Sequence, residues 1–153
     1  MGFIIDSMQP DSDSAAVIQR LLEEHVPEIG LGAVEIRGIA REPGKRTMIA
    51  VESKVPAVDA VSACTGVRGT RVRAMLAELP GEHMDIVLWN GELQRFLGNL
   101  LAPNRTIQVS LDHSARRATI SVPPDCTPLS ELRRRLASKL TGWDLKIVTP
   151  NAI

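Results

Sequence analysis

Two stretches of this chain repeat one another. Setting Val72–Val87 against Arg133–Val148 aligns Arg73 with Arg134, Leu79 with Leu140, Gly81 with Gly142, Ile86 with Ile147 and Val87 with Val148. Each stretch reads as a helix leading into a strand, and each follows a helix and two strands. A repeated order of helix, strand, strand, helix, strand is an internal duplication, which points to two copies of one small α+β unit. At 153 residues the chain is long enough for one ordinary domain or two very small ones, and its 44% apolar content suffices for packed cores.

The first copy can be followed residue by residue. Residues 1–13 form a flexible tail ending in a helix cap at Asp13 or Ser14. Val17, Ile18, Leu21 and Leu22 then share one helical face, and the helix stops before Pro27. Strands are predicted over Ala33–Arg41 and Thr47–Ser53. Glu42-Pro43-Gly44-Lys45 joins them, with proline presetting the first central turn position and glycine supplying positive φ at the second. Asp59 caps a short helix through Cys64. Thr70 caps the next, whose Val72, Met75, Leu76 and Leu79 fall at helical spacing. After the Pro80-Gly81 stop, Met84, Ile86 and Leu88 alternate with Asp85 and Val87 as a third strand.

The second copy opens where Asn90 can cap a helix bearing Leu93, Phe96, Leu97, Leu100 and Leu101. Strands follow, carrying Ile107, Val109 and Leu111, then Ala118, Ile120 and Val122. A helix opened by Thr127-Pro128 bears Leu129, Leu132, Leu136 and Leu140, and a last strand runs from Trp143 to Val148. The domains are thus 14–90 and 91–153. The second lacks the loop and short helix that precede the last helix of the first.

Composition removes several functions. Lys+Arg and Asp+Glu are 18 each, which excludes a protein that coats nucleic acid along its whole surface, so any such site is local. Two Phe, two Trp and no Tyr cannot build an aromatic stacking platform. Cys64 and Cys126 lie far apart, with no zinc-ligand spacing, and read as small buried hydrophobes. His25, His83 and His113 are scattered, and Glu23-Glu24-His25 on one helix does not converge on a point, so neither an enzyme nor a metal site is expected. No stretch is apolar enough to cross a membrane, and the Gly2–Ile5 patch is too short for a signal-peptide core, so a soluble cytoplasmic chain is expected.

One segment carries chemistry. Gly66-Val67-Arg68-Gly69 lies between two helices, where backbone N–H groups and the helix dipole favour an anion and glycine admits a close phosphate. From Ala60 to Ala77 there is no acidic residue, while Arg68, Arg71 and Arg73 set up a local positive field, and Thr65 and Thr70 add hydroxyl donors. Two glycines three apart also mark plain helix–helix turns, so this tetrapeptide alone does not decide.

Its surroundings resemble a known family. Glu28-Ile29, Val34-Glu35-Ile36, Ala40–Gly44, Arg46–Val51, Val58–Val72 and Asp85–Trp89 are similar to the first KH domain of the bacterial NusA family, near-continuously from residue 14 to residue 90. The resemblance implies two tandem type II (bacterial-type) KH domains, each a three-stranded sheet covered by helices. It implies single-stranded RNA gripped by Gly66, Val67, Arg68, Gly69, Thr70, Arg71 and Arg73, with about four nucleotides in the adjoining groove. It also implies a role in transcription elongation, termination or antitermination, with RNA polymerase or a transcription or ribosome factor as protein partner and no cofactor.

The second half resembles the family's second KH domain through Leu136–Trp143 but is degenerate, since Pro128-Leu129-Ser130-Glu131 stands where the glycine loop belongs. Arg133, Arg134, Arg135 and Lys139 are auxiliary RNA contacts or a solvated face. The polymerase-binding and OB-fold domains of full-length family members are not in the sequence, so the chain is a stand-alone relative or an excised piece. The alternative function is a protein-interaction scaffold on a KH fold that has lost RNA binding.

Overall fold

The computed structural model describes residues 12–103, 107–123 and 129–149. Helix α1, Ser12–His25, starts before the expected cap and leads through Val26 into a single turn, α2, Pro27–Gly30. The long hairpin follows as β1, Val34–Glu42, and β2, Arg46–Ser53. Its turn closes with the Lys45 N–H donating to the Glu42 carbonyl at 3.0 Å, and Gly44 sits at φ 80° as the turn chemistry requires. Next come α3, Ala60–Thr65, a short 3-10 turn, Val67–Gly69, and α4, Thr70–Leu76. Strand β3, His83–Leu88, completes a sheet ordered β1-β2-β3, in which β2 runs antiparallel to β1 and parallel to β3.

The second copy repeats this with fewer parts: α5, Leu93–Leu101; β4, Gln108–Asp112; β5, Arg117–Ser121; α6, Glu131–Thr141; β6, Asp144–Val148. Its sheet, β4-β5-β6, has the same antiparallel and parallel pairings. Thr127-Pro128 lies outside the described residues. The cap of α6 is Ser130, whose hydroxyl accepts the Arg133 N–H at 3.2 Å, and Leu129 precedes the helix. Asn90 does not cap α5 either. Its carboxamide oxygen accepts from Glu92 N–H at 2.8 Å, an Asx turn ahead of a helix whose own cap position is Glu92.

The two copies share a core. One face of the first sheet, with Ile39, Ile49 and Val51, packs under α1, α3 and α4 around Ile18, Leu22, Cys64 and Met75. The opposite face, with Ala40, Met48, Ala50 and Val87, joins Phe96, Leu97 and Leu100 of α5, Leu136 and Leu140 of α6, and Ile120 and Leu145 of the second sheet. The molecule is therefore a stack of helices, sheet, helices and sheet. This explains β2, where every residue from Thr47 to Val51 is buried: a strand covered on both faces reads as a continuous apolar run. It also explains β3. Met84 and Ile86 pack toward the first core as their alternation suggests, but Leu88 is 48% exposed and Val87 is buried against the second domain.

Polar contacts fix the same junction. Arg135 of α6 binds both carboxylate oxygens of Glu42 on β1 at 2.9 and 3.1 Å, and its guanidinium is the main cause holding the Glu42 carboxyl below the ordinary 4.5. Arg133 reaches Asp85 of β3 at 3.3 Å and donates twice to the Leu100 carbonyl, at 3.1 and 2.7 Å. Asp85 is held from the other side by Arg46 at 2.5 Å. Among the described residues no helix is long and apolar enough to cross a membrane.

Candidate nucleic-acid interface

The loop at 66–69 is shaped by its backbone. Gly66 sits at φ 80°, ψ 167°, a region essentially reserved for glycine, and Gly69 at φ 74°, ψ 19° is left-handed. Between them Arg68 is also left-handed at φ 56°, which a non-glycine residue seldom adopts. Room is short at Gly66, where a Cβ would come within 2.7 Å of Arg71 Cγ, 2.8 Å of Arg71 N and 2.9 Å of Thr70 Oγ1. The two flanking helices approach because glycine leaves that space. The tip projects: Val67 is 79% exposed and Arg68 is exposed, with no ion pair to its side chain among the described residues.

The expected donors around the loop divide into two groups. Arg71 turns inward, its Nη1 donating to Glu28 Oε1 at 2.8 Å and to the Ala63 carbonyl at 2.6 Å, so it ties α4 to α2 and α3. Hydrogen bonding at the Glu28 backbone, and then the Arg71 guanidinium, hold the Glu28 carboxyl below the ordinary 4.5. Arg73 Nη1 donates to the Arg68 carbonyl and braces the tip from below. Thr65 spends its hydroxyl on the Val61 carbonyl at 2.7 Å, and Thr70, the expected cap, makes no side-chain cap bond because the cap position is Gly69. Asp59 does cap α3, accepting from Ser62 N–H at 3.1 Å. Cys64 lies beneath, its thiol pushed up to about 11, chiefly by burial.

A groove of about 350 Å³ runs beside this unit. Val61 of α3 lines one side, Met84–Leu88 of β3 the floor, and Asn99, Pro103 and Arg133 of the second domain the far wall. Asn99 and Pro103 carry no motif that singles them out in the sequence. The one available signal is Gly98, a glycine inside a helix whose apolar residues Leu93, Phe96, Leu97, Leu100 and Leu101 fall at helical spacing.

The basic run on α6 is not a free strip. Arg133 and Arg135 are committed to Asp85 and Glu42 as described. Arg134 binds Glu131 at 2.8 and 2.6 Å and the Leu145 carbonyl at 3.2 Å, and Lys139 is half-buried. Folding also brings together a group that the sequence separates. His25 Nε2 lies 3.3 Å from Glu78 Oε2, with Glu24 close by, but Arg20 already holds Glu24 at 3.2 Å in an exposed ion-pair cluster.

Comparison with known proteins places this architecture. The crystal structure of APE1850 superposes with a TM-score of 0.53 at 19% identity, over 86% of this chain and 96% of that one, a likeness of fold. The transcription termination/antitermination protein NusA of Thermus thermophilus is 43% identical over 84% of this chain and 34% of its own length. That of Bacillus subtilis is 40% identical over 86% and 36%, and that of Rickettsia prowazekii 37% identical over 87% and 28%. The chain thus spans about a third of the length of these relatives. Residues 12–89, about half of the chain, match the NusA-like first KH domain, and they are the residues that build the glycine loop, its flanking helices and β3. The chain belongs to the family of NusA-like first KH domains.

Proposed function

We propose that the first domain binds single-stranded RNA, with the Gly66–Gly69 loop on the phosphate backbone and bases in the groove along α3 and β3. The observation that carries this is the loop itself: three positive-φ residues in a stretch of four present an exposed arginine on a backbone close enough for phosphate. Arg71 and Arg73 act by holding that shape rather than by touching RNA. The half-apolar groove suits bases without aromatic stacking. That the relatives are transcription termination/antitermination proteins supports a place for this chain in that process; its protein partners are then expected in the transcription machinery, in the cytoplasm. The basic run of the second domain buttresses the first rather than offering a free RNA-binding strip, since Arg133 and Arg135 are committed to Asp85 and Glu42 of the first domain and Arg134 to Glu131.

The test is fluorescence anisotropy with a pool of short single-stranded RNAs at several salt concentrations. Wild type should bind with log Kd rising about 0.7 per decade of salt for each phosphate engaged. A Val67→Asp, Arg68→Asp double substitution, which keeps both glycines, should weaken binding at least about tenfold, roughly 1.4 kcal/mol. Equal binding by folded double mutant and wild type would place the site elsewhere. No binding by wild type even at low salt would favour a protein-interaction module.

A further inference from the structure

The groove of the first domain has a wall made by the second. The His83 N–H bonds to the Lys45 carbonyl and the Trp89 N–H to the Val51 carbonyl, so alternate residues of β3 face β2. Met84, Ile86 and Leu88 therefore turn their backbone groups to the open edge of the sheet. At the end of that edge the Leu88 carbonyl accepts Asn99 Nδ2 at 3.0 Å. Asn99 and Pro103 line this groove and also a second cleft, of about 740 Å³, between α5 and β4. The two depressions meet at Asn99.

Gly98 lies beside this junction and lines the second cleft, and a Cβ there would meet no atom within 4 Å. Glycine weakens a helix interior relative to alanine, and here no packing or positive φ requires it. What it leaves is a bare stretch of helix that a ligand can approach closely.

The geometry points to Gly98-Asn99 as the base-reading end of the RNA groove: a strand held at the glycine loop runs along β3 and crosses α5 at Gly98, where the Asn99 carboxamide reads one base. This rests on the RNA-binding reading above. With one Nδ2–H on Leu88, Asn99 keeps one N–H donor beside its Oδ1 acceptor. Adenine, with N6–H₂ next to N7, is the base whose edge complements that pair in the usual asparagine contact. The second domain, without a glycine loop, thereby supplies sequence selection to the clamp of the first.

The experiment is selection from a randomised single-stranded RNA pool, followed by anisotropy on the selected RNA, for wild type, Asn99→Ala and Gly98→Ala. Wild type should show an adenine preference at one position. Asn99→Ala should flatten that position alone, with the preferences at the other selected positions as in wild type, and lower affinity for the selected RNA at least about threefold. Gly98→Ala should raise the melting temperature and yet weaken the selected RNA at least about threefold. Unchanged base preference in Asn99→Ala together with unchanged affinity in Gly98→Ala overturns the inference while leaving RNA binding intact. If Asn99→Ala does not fold, Gly98→Ala alone decides. A wild type that binds no RNA removes the reading beneath both.

Discussion

Replacing Gly66 by alanine should be the most damaging single-methyl change in the loop, and its size can be worked from geometry. At φ 80°, ψ 167° an L-residue occupies a region that costs about 1–3 kcal/mol. The new Cβ would also stand 2.8 Å from Arg71 N, a backbone atom at the start of α4 that cannot swing aside, so the loop must shift. The shift endangers the bond from Gly69 N–H to the Gly66 carbonyl at 3.1 Å, a further loss of about 1 kcal/mol. The sum is roughly 2–4 kcal/mol. Gly69→Ala is the internal control. It keeps an ordinary left-handed conformation, costing about 1–2 kcal/mol, and its Cβ meets only the Arg73 Nη1 tip at 3.2 Å. Urea unfolding followed by circular dichroism measures both, with unchanged m-values expected. For a chain of this length the melting midpoint should fall by roughly 5–15 °C in Gly66→Ala and less in Gly69→Ala. A Gly66→Ala protein within about 0.5 kcal/mol of wild type, or less damaged than Gly69→Ala, would refute the claim that the loop is held in a glycine-only shape.

Three further outcomes are expected. The full chain should melt in one transition, whereas a fragment ending at residue 90 exposes Ala40, Met48, Ala50 and Val87 and should aggregate or melt at least about 10 °C lower, roughly what losing a few kcal/mol of apolar burial implies; a fragment as stable as the whole would contradict the shared core. Stability should fall as pH drops through and below the ordinary carboxylate value of 4.5. The Glu82 carboxyl, whose side chain is 5% exposed, is held below that value chiefly by its bonds to Arg41, so its stabilisation is full above the unfolded pKa and lost as the folded group protonates. Glu82→Gln should be less stable at pH 7 and lose less between pH 6 and pH 3 by urea titration, and an unaltered pH profile would argue against the pair. Cys64, with its thiol pushed up to about 11 in a buried site, should resist alkylation at pH 8 until the protein is unfolded, as peptide mass mapping can follow.

Local chemistry was legible in the sequence, and contacts across long separations were not. Pro43-Gly44 specifies its turn and Asp59 its cap because both act within a few residues. Both glycines of the loop take positive φ, as glycine readily does, but nothing in the sequence marks Arg68 as sharing it. Thr70 and Asn90 stand one or two positions away from the caps expected of them, because a neighbouring residue, Gly69 or Glu92, takes the boundary. The greater gap concerns α6. Three successive arginines look like a free basic strip, yet Arg135 meets a carboxylate 93 residues away and Arg133 one on β3, partners that no periodicity reveals. The wall of the groove at Asn99 was hidden for the same reason.

The double covering of β2 has a consequence for motion. Its amides are bonded to β1 on one side and β3 on the other, while Met48 and Ala50 look into one core and Ile49 and Val51 into the other. No partial opening that lifts only α3 or only α6 frees this strand, so its protons exchange with solvent only when both cores part, and the slowest-exchanging amides of the molecule mark the centre of β2.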